Sequence, residues 1–158
     1  MKKIVRIFFC LITIFFISGS EPALASSNFT TSYDVTYRVR ENGTTHVAFA
    51  ISLTNTTSQY YASSYKVNLG FDNITALSAS DPDGPINPAL KKTDTGYEIA
   101  LNFNKQVTGL GNTLTFNLSF DTLNVAQKQG RIWEINVPGL SKQDEFSAFD
   151  VHLRVPAS

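Results

Sequence analysis

Residues 33–53, YDVTYRVRENGTTHVAFAISL, decide the fold class of this 158-residue chain. Apolar residues alternate with polar or small ones on both sides of the segment Glu41-Asn42-Gly43. Alternation with a period of two is typical of β-strands that bury one face, and Asn-Gly is a common β-hairpin turn. The stretch therefore predicts two antiparallel strands joined by a short loop.

The loop of this hairpin is expected to contain three residues. In a two-residue Asn-Gly turn the apolar sides of the two strands would point in opposite directions, because opposed residues share a face. A three-residue loop, Glu41-Asn42-Gly43, aligns the two apolar sides and places Tyr37 opposite Val47. Gly43 is then expected to adopt the left-handed conformation that closes such loops with a bulge.

The same alternation recurs along the rest of the chain and predicts an all-β protein. It is clear in residues 65–71, 97–103, 114–120, 133–137 and 149–155, and doubtful near residues 74–77. Prolines in residues 81–88 predict a long connection that is not a central strand. We therefore expect an antiparallel immunoglobulin-like β-sandwich of about seven to eight strands, folded as one domain over residues 26–158.

The first 25 residues have the order of a secretory signal peptide. A basic start, MKKIVR, precedes the apolar run Ile7–Ile17, and small residues follow, with Ala23 and Ala25 in an A-x-A cleavage motif. The run is shorter than the roughly 20 residues that span a bilayer, so a retained anchor is the weaker alternative. We expect cleavage after Ala25, a mature chain that begins at Ser26, and a secreted or extracytoplasmic location.

Composition narrows the possible functions of the mature chain. The only cysteine of the sequence, Cys10, is removed with the predicted signal peptide. The mature domain therefore has neither disulfides nor a thiol nucleophile. Removal of residues 1–25 takes away three of the 13 basic residues and one of the 13 acidic residues, which leaves a small negative charge. This charge gives no electrostatic reason to bind nucleic acid.

The residues give no catalytic or metal site, and we expect no cofactor. No G-x-S-x-G motif is present. Neither His46 nor His152 has a second histidine or cysteine at metal-ligand spacing, and each is predicted on a solvated strand face. Asp81-Pro82-Asp83-Gly84 has alternating aspartates, as calcium loops do, but it lacks the distal glutamate and is interpreted as a turn. Ordinary solvated carboxylates are expected at Asp34, Asp72, Asp121 and Asp150.

Three aromatic residues, Tyr60, Tyr61 and Trp133, are the candidates for a platform on which sugars stack. Trp133 shares its predicted strand face with Ile135 and Val137, which favours a place in the core. Tyr60 and Tyr61 are adjacent, so in a strand they would point to opposite sides, and one of them is expected to join the core.

A longer stretch of the chain resembles a known family. Residues 33–71, YDVTYRVRENGTTHVAFAISLTNTTSQYYASSYKVNLGF, are similar to the start of the N-terminal β-sandwich of secreted bacterial transglutaminase-like proteins. The likeness continues more weakly to about Pro156. In that family the sandwich precedes a papain-like catalytic domain with a Cys-His-Asp triad, often followed by a membrane anchor. No mature residue matches the cysteine, so the resemblance implies the accessory module without its enzyme.

Two functional hypotheses follow for a chain that we expect not to be an enzyme. The first is a non-catalytic extracytoplasmic module that accompanies a transglutaminase-like catalytic domain. In that case residues 156–158, which follow the predicted last strand, are either a natural tail or the start of a linker to that domain. The second is an independent adhesion or binding module, which holds a peptide or a glycan at the cell surface through a sheet edge or an aromatic patch.

Overall fold

The computed structural model describes residues 28–138 and 146–156. The regular secondary structure of these residues consists of β-strands alone. The predicted signal peptide, with Ala23, Ala25 and Ser26, lies outside these residues. Within the described ranges, no helix is long and apolar enough to cross a membrane. The strands are β1 (Phe29–Val39), β2 (Thr45–Asn55), β3 (Tyr61–Leu69), β4 (Thr75–Asp81), β5 (Gly84–Ile86), β6 (Ala89–Thr93), β7 (Gly96–Thr108), β8 (Thr113–Thr122), β9 (Ala126–Gln129), β10 (Ile132–Ile135) and β11 (Ala148–Arg154).

The strands form two sheets of unequal width and a small hairpin. The wide sheet has six strands in the order β11-β1-β2-β8-β4-β5, and the narrow sheet has three in the order β3-β7-β6. Among the described strands, β9 and β10 pair only with each other. The two sheets pack on one another in a β-sandwich-like arrangement, so the all-β prediction is confirmed.

The register predicted for the first hairpin is confirmed. Tyr37 lies opposite Val47 and Val39 lies opposite Thr45, which leaves Glu41-Asn42-Gly43 as a three-residue loop. The Arg40 amide donates to the Thr44 carbonyl at 2.9 Å, and Gly43 has a φ of 85°. A side chain with a Cβ would be strained at that angle, so glycine suits the position.

The core lies between the sheets and is rich in aromatic rings. Every second residue of β1, β2 and β8 is buried, as expected for strands with one face inside. Phe116 of β8 contacts Phe103 and Tyr65 of the narrow sheet, with ring centroids 4.8 and 5.3 Å apart. Phe120 contacts Phe71, which follows β3, at 5.3 Å. These ring contacts couple the two sheets.

The structure corrects two features of the predicted sandwich. Residues 28–138 and 146–156 already contain eleven strands, not seven or eight, because β5, β6 and β9 are short and carry no clear alternation. The sandwich is also not wholly antiparallel. The last strand, β11, pairs in parallel with β1, with Tyr33 opposite Phe149 and Tyr37 opposite Leu153. The parallel pairing brings the two ends of the described chain into neighbouring strands.

Trp133 is not part of the core, contrary to the prediction from its strand face. It lies in β10, in the two-stranded hairpin, where it is half-buried and pairs with Lys128 of β9. The Lys128 ammonium lies 5.4 Å from the centre of the ring, a cation–π distance. Ile135 and Val137 pack against the core as expected. The core contacts of this segment therefore begin beyond Trp133.

A pair of aromatic substitutions tests this assignment of the core. We expect Phe120→Ala to lower the free energy of unfolding by about 3–5 kcal/mol, because it empties a fully buried site between the sheets. Trp133→Ala is expected to cost about 1 kcal/mol or less, as is usual for residues outside the core. Urea unfolding of both variants measures the difference. A Trp133→Ala variant that unfolds as easily as Phe120→Ala would contradict the assignment.

Candidate functional site

An aromatic cleft opens where the narrow sheet stops short of the edge of the wide sheet. Its volume is about 620 Å³. The cleft lies between β1 and β3 and extends to β11. It is lined by Tyr33, Tyr37, Phe49, Tyr65, Lys66, Val67, Asn68, Leu69, Gly70, Phe71, Thr93, Thr95, Tyr97, Pro138, Phe146 and Phe149. Alternation along β1 places Tyr33 and Tyr37 on the inner face, so the strand pattern itself directs their rings into this space.

Two tyrosines join the sheets across the cleft. The hydroxyls of Tyr33 in β1 and Tyr65 in β3 lie 2.5 Å apart, within hydrogen-bond distance. Phe146 stands edge-on to the Tyr33 ring, with centroids 4.9 Å apart. These contacts fix the ring positions on one wall of the cleft.

Tyr37 has a buried ring and a hydroxyl without a described partner. Its side chain is only 3% exposed, and burial raises the pKa of its phenol above the usual value for tyrosine. No hydrogen bond joins this hydroxyl to any residue in the two described ranges. The Tyr37 hydroxyl is therefore a donor and acceptor that a bound molecule in the cleft could use.

The rim of the cleft is polar, whereas its walls are apolar. Lys66 carries an exposed ammonium 3.4 Å from the Glu98 carboxylate. The Tyr97 hydroxyl donates to the Asp72 carbonyl at 3.4 Å. Apolar walls, a few hydrogen-bonding groups and a volume of several hundred Å³ are typical of ligand sites. The cleft can bind an apolar or aromatic group and orient it, and its described lining contains no cysteine, serine, histidine, aspartate or glutamate.

The three aromatic residues considered as a sugar platform do not come together. Tyr60 and Tyr61 are 55% and 60% exposed, so the prediction that one of them joins the core is wrong. The Tyr60 carbonyl accepts from the Asn55 side chain, at the end of β2. Trp133 lies in the hairpin with β9, and β9 approaches Gly43, near the start of β2. The eleven residues of β2 separate these sites by roughly 30 Å.

One of the carboxylates predicted to be simply solvated is instead tightly paired. The hydrogen bond from Arg40, at 2.7 Å, lowers the pKa of Asp121, and the His46 contact, also at 2.7 Å, acts in the same direction. Partial burial opposes this effect. The cluster links the β1–β2 hairpin to β8 on the outer face of the wide sheet, which gives it a structural role.

The other histidine, His152, lies on the same outer face. Its Nε2 atom is 3.4 Å from an Asp34 oxygen, and both side chains are more than half exposed. Among the described residues, no group of three or more histidine, cysteine, aspartate or glutamate side chains could hold a metal ion.

The Asp81-Pro82-Asp83-Gly84 segment is a turn that is anchored by its first residue. The Asp81 carboxylate accepts from the Asp83, Asn104 and Lys105 amides at 3.0, 2.7 and 3.2 Å, and from the Asn104 side chain at 3.1 Å. Burial alone would raise the pKa of Asp81, but these hydrogen bonds together lower it. The carboxylate oxygens are thus engaged by N–H donors that connect the β4–β5 turn to β7, as the turn interpretation predicted.

Comparison with protein families and with curated proteins identifies no relative. No protein-family model matches this sequence, and no curated protein matches it significantly.

Substitution of Asp81 should change both stability and its pH dependence. We expect Asp81→Asn to lower the free energy of unfolding at pH 7 by about 1–3 kcal/mol, because an amide cannot accept all four hydrogen bonds. The pKa of Asp81 is lowered in the folded state, so its contribution is present above the ordinary aspartate pKa of about 4 and disappears as the pH falls through the folded-state value.

Urea unfolding of both proteins from pH 7 to pH 3 measures this effect, and the difference between them should shrink as the pH falls. Asp83→Asn is the control, because no described hydrogen bond uses the Asp83 carboxylate. A difference that stays constant across this range would show that the Asp81 charge does not stabilise the turn.

Proposed function

We propose that this chain is a non-catalytic, extracytoplasmic, immunoglobulin-like β-sandwich module that binds a segment of another polypeptide in its aromatic cleft. The observation that carries the proposal is the cleft itself, with about 620 Å³ of space, aromatic walls and the unpartnered Tyr37 hydroxyl. Apolar side chains of an extended peptide would fill the space. The Tyr37 hydroxyl would hydrogen-bond to the peptide, and the polar rim would contact its backbone.

The chemistry of the chain favours binding over catalysis. A chain processed after Ala25 contains no cysteine, so acyl transfer through a thiol has no nucleophile. The fold of an enzyme-bearing family would not change this, because catalysis belongs to the site and not to the scaffold.

The export of the module and its biological setting rest on the sequence. The basic and apolar start with Ala23 and Ala25 supports export, with Ser26 as the first mature residue. The resemblance of residues 33–71 to the N-terminal sandwich of transglutaminase-like proteins supports an accessory role. In that setting the bound segment would belong to the catalytic domain that the module accompanies.

A second candidate function is the recognition of a glycan. It is favoured by the exposure of two adjacent rings, Tyr60 and Tyr61, because sugars bind to exposed aromatic faces in proteins. In this case the binding surface would lie at the end of β2, away from the hairpin that carries Trp133.

One binding experiment distinguishes the two candidates. The protein from Ser26 onward is used to select peptides from a displayed library and is applied in parallel to a glycan array. We expect selected peptides to carry aromatic or branched apolar residues. Thr95→Trp should weaken their binding about tenfold or more, because it adds bulk at the exposed rim of the cleft.

Lys91→Trp is the matched control, because Lys91 is exposed on β6 and does not line the cleft. Its affinity should equal that of the parent. Peptide binding that is equally unaffected by Thr95→Trp would refute the cleft proposal. Glycan binding that is lost in Tyr60→Ala or Tyr61→Ala, and kept in Thr95→Trp, would favour the second candidate.

A further inference from the structure

The two sheets have four outer strands, and three of these are protected against further pairing. Proteins usually block free edges with short strands, prolines, bulges or charged side chains, most often lysines. Strand β5 has three residues and contains Pro85, and β6 carries Lys91 and Lys92. The pairing register of β3 shifts between Ala62 and Ser64, and β3 contains Lys66. Each of these edges therefore carries at least one recognised protective feature.

The fourth outer strand, β11, has no proline, lysine or bulge, and only the charged side chains of Asp150 and Arg154 oppose further pairing. It is seven residues long, contains neither proline nor lysine, and keeps one register with β1 along its length. Its inner side is apolar, and beyond Phe149, which packs against the core, the described residues leave this side largely exposed. Val151 and Leu153 are 42% and 46% exposed, and Val155, just beyond the strand, is 51% exposed. An edge of this kind favours pairing with another strand.

The free backbone groups of β11 can be identified from its pairing with β1. The Thr31 carbonyl accepts from the Ser147 amide at 2.8 Å, so the odd-numbered residues of β1 direct their backbone groups towards β11. In a parallel pair, a residue whose backbone N–H and C=O bond to the neighbouring strand lies opposite a residue whose N–H and C=O point away from the pair. Because Tyr33 lies opposite Phe149, the outward-directed groups of β11 are those of residues 149, 151 and 153.

The charges on the polar side of β11 are poorly matched within the chain. Asp150 lies opposite Asp34 on β1, and Arg154 lies opposite Arg38. Like charges that face each other across strands are destabilising. Within residues 28–138 and 146–156, no ion pair involves Asp150 or Arg154. The edge thus carries acidic residues towards one end and basic residues towards the other.

We infer that the occupant of this edge is a second copy of the same chain, which pairs β11 with β11 in antiparallel orientation about a two-fold axis at His152. A two-fold axis makes a strand with opposite charges at its ends complementary to itself. Asp150 of each copy then lies opposite Arg154 of the other, and Val151 lies opposite Leu153. The charges that lack partners in one copy acquire them, and apolar side chains meet on the inner side.

This dimer goes beyond the proposed function and does not depend on it. It joins the two wide sheets into one continuous sheet. Because opposed residues share a face, both clefts open on the same side of that sheet. A single strand pair buries a small interface, so the association is weak and depends on concentration.

A disulfide tests the position of the axis. The protein from Ser26 onward contains no cysteine, so one introduced thiol per chain can form only an intermolecular disulfide. Residues 152 of the two copies form a pair without backbone hydrogen bonds, in which Cα atoms are about 4.5 Å apart and side chains are closest. We expect His152→Cys to form a covalent dimer under mild oxidation. Val151→Cys should not, because the axis places residue 151 opposite residue 153.

Charge substitutions test the pairing without breaking the fold. Asp150→Arg places two arginines opposite each other in the dimer, and Arg154→Asp places two aspartates opposite each other. Each should weaken dimerisation about tenfold or more, because the symmetry repeats the repulsion twice. Within one copy, Asp150→Arg places an arginine opposite Asp34, and Arg154→Asp places an aspartate opposite Arg38. Both new pairs have opposite charges, so the melting temperature of the dilute protein should not fall. The double variant should restore the dimer.

Sedimentation equilibrium over a wide range of concentration measures these effects. Lys91→Asp, on the protected edge β6, is the control and should dimerise like the parent. A protein that stays monomeric at every concentration would overturn the inference. A dimer that is weakened by Asp150→Arg but unchanged by Arg154→Asp, or one that is cross-linked through residue 151, would also overturn it. Peptide binding by the cleft can succeed or fail independently of each result.

Discussion

The register between β1 and β2 is the constraint on which the rest of the structure depends. A slip of one residue would turn the apolar side of one strand to solvent. The three-residue loop that ends at Gly43 prevents this slip, and Tyr37 lies opposite Val47 as a result. Strand β8 then pairs with β2 so that the apolar residues of both strands lie on the same face of the sheet, with Phe49 opposite Leu118. The buried face of these three strands is the surface on which the narrow sheet packs.

The unequal width of the two sheets explains the functional features of the molecule. Three strands cannot cover the inner face of six, so the wide sheet extends beyond its cover on the side of β1 and β11. Between β1 and β3 the result is an aromatic cleft, which is bridged by the hydroxyls of Tyr33 and Tyr65. At β11 the result is a strand with an exposed apolar side, and no described strand pairs with its outer edge. The proposed peptide site and the proposed dimer interface are thus two consequences of the same mismatch.

The sequence predicted what depends on local pattern and missed what depends on distant partners. The hairpin register followed from the alignment of apolar faces alone. Alternation did not reveal that β11 pairs in parallel with β1, or that Trp133 belongs to a separate hairpin, since periodicity identifies a strand but not its neighbour. Strand β4 was doubtful because a register shift between Thr75 and Ser78, with Ala76 at a φ of 50°, interrupts its pattern. The cleft was not predicted, because it arises from the relative widths of the two sheets.

Hydrogen exchange of the dilute protein tests the unequal-sheet account most directly. Strand β2 has partners on both sides, so the amides of residues 47–53 should all exchange slowly, close to the rate set by global unfolding. In β11 protection should alternate, with slow amides at residues 150, 152 and 154, which bond to β1, and fast amides at residues 149, 151 and 153. Uniform protection along β11 at concentrations where the protein is monomeric would show that another part of the chain covers this edge, and would contradict the account.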